Sequence, residues 1–394
     1  MANDAVHVVG AHTGRDGDPT IIEARRTGCG TRMTLFSPVT LPQVERTTRS
    51  QDQQQKLSVA PMGRSLSTEV IAVDVEDYEV VVVGGGAAGL SAALVLGRAR
   101  RRVAVVDAGS PRNAPAAHMQ GFLSRDGMPP SELLAAGRAE VAGYGVTLID
   151  GYVDAVRPGF VVRLSSGEIV RARRILVATG SRDELPDIPG VRDRWGRDLL
   201  HCPYCHGWEV RDEPLGVLGT IPGSVQHALL VRQWSNDVIY FAHTYEVTSE
   251  EQRDLDARGV RIERGEVARL LIENDRLAGV ELIDGRIIPR SAVFVRPGNF
   301  AHSAGLLVDL GCDVDDAGFA IVDGTGRTTI AGVWAAGNAV DARAQVITAA
   351  GAGSAAAIAI NADLVQEDVD AAVRSAPAQG RARIAGAVDS CEHV

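Results

Sequence analysis

The chain is poor in aromatic residues, 4% of its 394 positions, and has only five cysteines. So few scattered thiols cannot form the disulfide framework that staples small secreted domains. Basic charge is not in excess: 40 Lys and Arg stand against 50 Asp and Glu, a formal net charge of -10. Nucleic acid is therefore not an expected partner, because phosphate contacts need clustered cations; the basic run at 98–102 reads as a solvated helix end. No apolar stretch near the N-terminus has the length and small-residue cleavage site of a secretory signal. What remains is the composition of an intracellular enzyme, expected in the cytoplasm, with room for two or more domains. Small residues are plentiful, 43 of them glycine, which suits tight turns and close packing of helices on a sheet.

Residues 1–74 differ from the rest. They are rich in Arg, Thr, Ser, Gln and Asp, include Gln53-Gln54-Gln55, and hold no sustained helical or strand period. Disorder is expected there, as a regulatory arm or as the product of an upstream start with Met62 a later one.

Order is expected from about Val75. Tyr78 to Val83 reads as a buried parallel strand that runs into Gly84-Gly85-Gly86-Ala87-Ala88-Gly89, then a long Ala/Leu-rich helix. Arg102 to Val106 forms a second strand, closed by Asp107, 23 positions after Gly84. Strand, turn, helix, strand and acid in that order make a dinucleotide fingerprint. Gly84 permits the tight turn, Gly86 lets the backbone approach a pyrophosphate, Gly89 allows close helix packing, and Asp107 accepts from a ribose. Farther on, Ile175 to Ser181 and Gly332 to Asn338 are strands ending in small-residue turns. Gln345 to Leu364 reads as a Gly/Ala-rich helix. Asn361 and Asp363 argue against a membrane span, and a buried helix pointing at a cofactor is expected instead.

Between these segments lies His201-Cys202-Pro203-Tyr204-Cys205-His206-Gly207. Two thiols at this spacing can close a small disulfide, and a nearby His or helix N-terminus lowers a thiolate pKa. Zinc ligation by the cysteines and flanking histidines is an alternative, though tetrahedral cages are usually built from two separated pairs. Redox chemistry is the favoured reading, and no metal is expected.

Together these motifs resemble the low-molecular-weight thioredoxin reductase family of flavoproteins over about residues 76–368. The resemblance implies an α/β fold in which a split FAD-binding Rossmann-like domain, 75–190 and 295–370, carries an inserted, degenerate NAD(P)-binding-like Rossmann domain at 191–294, followed by a tail at 371–394. It implies FAD held by Gly84, Gly86, Ala88, Gly89, Asp107, Asn113, Ala178, Thr179, Gly180, Gly337, Asn338, Gln345 and Val346. It further implies that Cys205 lies nearest the flavin, that Cys202 exchanges with substrate, and that the protein is a homodimer. His118 is expected beside the flavin or as a satisfied loop residue; Cys29, Cys312 and Cys391 are given no role.

The chain also departs from that family. Where a nicotinamide nucleotide needs a glycine-rich loop, Gly219-Thr220-Ile221-Pro222-Gly223-Ser224 lacks the spacing, and Pro222 removes an N–H donor. No arginine follows in Phe241 to Glu246, so an NADPH phosphate has few obvious partners. Asn338 replaces the Asp usual on the ribityl chain. Cys-Pro-Tyr-Cys-His-Gly looks like the flavin-dependent dithiol oxidases of the gliotoxin and holomycin type. That resemblance implies oxidation of a small dithiol through Cys202 and Cys205, with His206 moving the proton and oxygen as acceptor. The alternatives are an NADPH-dependent or ferredoxin-fed reductase of a thioredoxin-like protein, and a non-catalytic flavin or zinc sensor.

Overall fold

A computed structural model describes residues 76–376 except Ser303, together with a few short segments before them. The chain divides into two compact units, Met1–Val70 and Ile71–Val394. In the first, His7–Val8 pairs with Glu23–Ala24 and His12–Thr13 with Pro19–Thr20, both antiparallel. The rest of the stretch expected to be disordered lies outside the described residues, as do Cys29, Met62 and 377–394.

The strands of the second unit are β1 (Glu76–Val83), β2 (Val103–Asp107), β3 (Thr147–Asp150), β4 (Val153–Arg157), β5 (Val161–Leu164), β6 (Ile169–Val177), β7 (Ser181–Glu184), β8 (Leu199–Leu200) and β9 (Leu215–Leu218). They continue with β10 (Val238–Phe241), β11 (Arg261–Glu263), β12 (Val267–Glu273), β13 (Arg276–Leu282), β14 (Ile287–Pro289), β15 (Ala292–Val295), β16 (Gly298–Ala301) and β17 (Val333–Ala335). Helices are α1 (Ala87–Arg98), α2 (Pro130–Ala142), α3 (Val191–Arg194), α4 (Pro203–His206), α5 (Ser224–Val231), α6 (Ser249–Ala257), α7 (Ala304–Asp309) and α8 (Val346–Ser375).

One sheet runs β3-β2-β1-β6-β5-β4. Its first four strands are parallel, and β17 lies beside the far end of β6, Ile175 opposite Val333. Two distant stretches thus build one sheet, as the split domain requires. Val80, Val81 and Val82 are fully buried because helices cover one face and the β4–β5 meander with α7 closes the other. A second sheet, β8-β15-β9-β10-β11, is parallel throughout. One of its faces packs on the antiparallel β12–β14 and the other on α5 and α6. The chain passes between the sheets on an antiparallel ribbon, β7 with β16.

The last helix corrects two expectations. It begins at Val346 but runs to Ser375, eleven residues beyond the expected Leu364 and into the expected tail. Beyond Leu364 no Gly or Pro interrupts it, and Arg174 pairs with Asp363 and Glu367 at 2.6 Å each while Arg173 holds Asp368 at 2.6 Å. It is also buried on one side only. Ala349, Gly353, Ala356, Ile360 and Leu364 face the core, whereas Ile358, Val365, Val369 and Val373 are exposed. The helix has the length and apolarity of a membrane span, but these ion pairs and its seat on α1 belong to a core helix. At their closest approach, a Cβ at Gly353 would overlap the carbonyl oxygen of Ala88.

Candidate active site

The glycine-rich turn after β1 is held by close contacts at Gly84, Gly85 and Gly89. Gly84 has φ +107°, and a side chain there would overlap the Ala178 carbonyl at the end of β6. A Cβ on Gly85 would lie 2.7 Å from the Asp107 carboxylate, whose Oδ1 accepts the Gly85 N–H at 3.0 Å. At Gly89 a Cβ would overlap the Gly84 oxygen, whereas Gly86 faces open space. Each glycine thus has the geometry that the fingerprint demands, and Gly85 is a fourth constraint that the spacing rule omits. Gly86 caps α1 with no side chain, and no acid sits in the first turn. The helix therefore presents free N–H groups and partial positive charge to the cleft.

The opposite wall is Ala178, Thr179, Gly180 and Ser181. The hydroxyls of Thr179 and Ser181 are buried without a hydrogen-bond partner, and orphaned groups of this kind call for a ligand. Gly337, at φ +70°, packs on Ala88. Asn338 spends its amide on the carbonyls of Asp341 and Ala344, at 2.7 and 3.1 Å, so it shapes the loop leading to α8. Gln345 and Val346 open that helix, again with no side-chain cap and no first-turn acid.

These walls belong to one cleft of about 1940 Å³, which also takes in Asn113, His118, Cys202, Cys205 and His206. Ligand pockets usually measure about 300–1,000 Å³, so there is room for a dinucleotide and a second molecule. Two uncapped helix N-termini, the glycine cradle and the two orphaned hydroxyls fit FAD. His118 Nδ1 lies 3.0 Å from the Gly127 carbonyl, the satisfied loop residue of the two readings.

Cys202 and Cys205 are joined as a disulfide. Pro203 occupies the first turn of α4, where its missing N–H costs nothing. Cys202 is the N-cap, its sulfur 3.1 Å from the Cys205 N–H. That donor favours the thiolate over the thiol once the bond opens. Cys205 Sγ lies 3.9 Å from Gln345 Nε2, beside the N-terminus of α8. Cys312 is buried against Thr328 and packs as a small apolar group.

Three histidines share this end of the cleft. Burial lowers the pKa of His206, partly offset by Glu209. Burial, then the charge of Arg112, lowers His201, whose Nδ1 lies 3.3 Å from the Val295 carbonyl. Burial, then His201, takes His227 down to about 4. All three are neutral at pH 7 and each keeps a nitrogen able to accept a proton. Arg112 grips Asp183 with two bonds, 2.9 and 2.5 Å, and also holds the Ala342 carbonyl at 2.8 Å; Asn299 adds a third bond to Asp183 at 2.7 Å. This cluster ties the β7–β16 ribbon to the loop before α8.

Fourteen of the sixteen residues expected at the site line this cleft; Gly89 and Gly337 do not, and pack instead against Gly84 and Ala88. Sequence reading missed Gly85, Arg112, His227 and Arg296. The glycine could have been read from its place before an acid-closed strand; the other three carry no local signature.

A family model described as pyridine nucleotide-disulphide oxidoreductase matches residues 78–354. The crystal structure of HlmI is 59% identical, with a TM-score of 0.74, covering 76% of this chain and 96% of that one. Thioredoxin reductase sirT of Leptosphaeria maculans is 30% identical over 75% of this chain and 96% of its own. A probable thioredoxin reductase of Arthroderma benhamiae is 34% identical over 44% of this chain, and the match spans 46% of that relative, less than half its length.

Proposed function

The chain belongs to the pyridine nucleotide-disulphide oxidoreductase family, and we propose that it oxidises a small dithiol to its disulfide through Cys202 and Cys205, with FAD as cofactor and oxygen as acceptor. The observation that carries this reading is the Cys202–Cys205 disulfide set in one cleft between the FAD-fitting cradle and the three histidines. The loop at 219–223 supports the choice of oxidase over NADPH-dependent reductase. It contributes nothing to the cleft lining, and Ala242 O would lie 2.8 Å from a Cβ at Gly219, with the Tyr240 hydroxyl closer still.

The sulfur chemistry follows from the geometry. His206 accepts the proton of one substrate thiol, and the resulting thiolate attacks Cys202, forming a mixed disulfide and expelling Cys205 as thiolate. Cys205 leaves toward Gln345 and the positive end of α8, which favour the charge. The second substrate thiol gives its proton to the still neutral His201 and attacks the substrate sulfur of the mixed disulfide. The cyclic product departs, and Cys202 is released as a thiolate held by the Cys205 N–H. Gly84, Gly86, Asp107, Thr179 and the α8 N-terminus would hold FAD, which would supply a two-electron acceptor for the Cys202/Cys205 dithiol and a route from it to oxygen. We further propose a place in the cytoplasm, and a homodimer, the latter supported by the exposed Ile358, Val365, Val369 and Val373 of α8.

The test is anaerobic titration of the yellow protein with NADPH, NADH and then a dithiol, following flavin absorbance. Bleaching by the dithiol alone, reversed by air, is expected. Rapid bleaching by NADPH would make the protein a reductase and overturn the oxidase reading.

A further inference from the structure

We propose that Arg296 and His227 form an anion-binding subsite on the inserted-domain wall of the cleft, receiving a negatively charged group of the dithiol substrate. The inference rests on the thiol-oxidising reading of the site and adds to it the recognition of charge.

Arg296 follows β15, is exposed, and lines the cleft that holds the disulfide. Among the described residues no carboxylate pairs with it; Asp183, which lines the same cleft, is taken by Arg112. Its guanidinium lies over the start of α5, where a Cβ on Gly223 would be 2.5 Å from Nη1. Gly223 is the N-cap of α5, with no side-chain cap and no acid in the first turn. A helix N-terminus is itself partly positive. A full cation set on it without a counter-charge is unfavourable until an anion joins them.

A second observation, on the same helix, points to the same ligand. His227 is 8% exposed and lines the cleft, and neither ring nitrogen reaches a hydrogen bond, the His201 backbone beside it only partly offsetting the effect of burial. A polar group buried this way keeps the full cost of its desolvation, which an acceptor on a ligand would recover. Its ring lies 6.0 Å from that of His201, the neighbour of Cys202, so an anion held here is close to the sulfur that meets substrate. Both histidines are neutral and offer N–H donors instead of competing charge, and Arg296 itself helps keep them so. A nucleotide phosphate is the poorer occupant, because Pro222 lacks an N–H and the loop at 219–223 lies outside the cleft lining.

Two anions on a dithiol fit: its own ionised sulfur, or a carboxylate elsewhere on the molecule. The probes are dihydrolipoate and its neutral amide, dihydrolipoamide, each used to bleach the FAD-bound protein anaerobically. Wild type, Arg296→Met and Arg296→Lys are compared across pH. The titratable and charged groups around the subsite, His201, His227, Arg112 and Asp183, are common to all three. Arg296→Met is expected to slow reduction about tenfold at pH 7, the worth of roughly one pKa unit, with Arg296→Lys retaining most of the rate. Equal slowing of both dithiols, vanishing as pH rises past the thiol pKa, identifies the ionised sulfur. Slowing of dihydrolipoate alone identifies a carboxylate.

Met-variant rates within about twofold of wild type for both dithiols would overturn the subsite. So would a Lys variant as slow as the Met variant, or loss of NADPH-driven bleaching with dithiol rates intact. If neither dithiol bleaches wild type, the dithiol reading itself fails.

Discussion

Gln345 Nε2 lies 3.9 Å from Cys205 Sγ, bringing the cap of the last helix to the redox pair of the inserted segment. In the proposed mechanism Cys205 passes electrons on and Cys202 receives substrate. Cys205→Ser is expected to keep its flavin, with an unchanged visible spectrum, yet lose dithiol-driven bleaching by more than about a hundredfold. Stopped-flow absorbance measures both. Normal bleaching would remove the disulfide from the electron path.

Gly85→Val tests the cradle without touching the sulfurs. The new Cβ would meet the Asp107 carboxylate at 2.7 Å and break the bond from the Gly85 N–H. The purified variant is expected to be colourless or nearly so, by the ratio of visible to ultraviolet absorbance. Full flavin content would show that the turn does not hold the cofactor.

The histidines set a pH dependence of stability. His227 titrates at about 4 when folded, against an ordinary value of 6.5. The unfolded chain therefore takes up a proton near pH 6.5 that the folded protein refuses until about pH 4. Stability is fully present above pH 6.5 and falls as pH drops through that window, by up to about 3 kcal/mol for this residue. His201 and His206, also lowered by burial, act in the same direction. Urea midpoints at pH 7.5 and 5 should fall less in His227→Phe than in wild type; equal falls would exclude His227 as a source.

Arg112→Ala leaves the Asp183 carboxylate, 7% exposed, with Asn299 as its remaining side-chain partner. A cost of about 3 kcal/mol is expected, partly recovered by adding Asp183→Asn, which removes the stranded charge. Thermal unfolding of the single and double variants decides this. An additive loss would mean the pair is not coupled.

Ile358→Glu together with Val365→Glu places charge on the exposed face of α8. Light scattering should report a monomer that keeps its flavin. A dimer unaffected by both changes would put the interface elsewhere.

Where a residue's role is enforced by its immediate neighbours in the chain, sequence revealed it. Gly84 and Gly89 are dictated by one turn, and Cys202 and Cys205 by one helical turn, so spacing alone exposed them. The end of α8 escaped because the apolar pattern stops near Leu364, while the acids beyond it are answered by Arg173 and Arg174 on a strand far upstream. Arg296 and His227 were missed for the same reason. Neither has a motif, and only the pairing of β15 with β9 and the packing of α5 bring them to one wall. His201 lines the cleft with His206, although no spacing rule assigns it a role.

The position of β17 has a consequence for biogenesis. Its three residues lie beside β6, but the whole five-stranded sheet is encoded between them. A nascent chain leaving the ribosome thus completes the guest before the host, since domains tend to fold as units in order of synthesis. Until Val333 emerges, the edge of β6 beyond β5 stays unpaired, and until α8 follows, the small-residue groove on α1 stays open. A ribosome stalled between β16 and β17 should hold a protease-resistant inserted domain on a first half that is still readily cut.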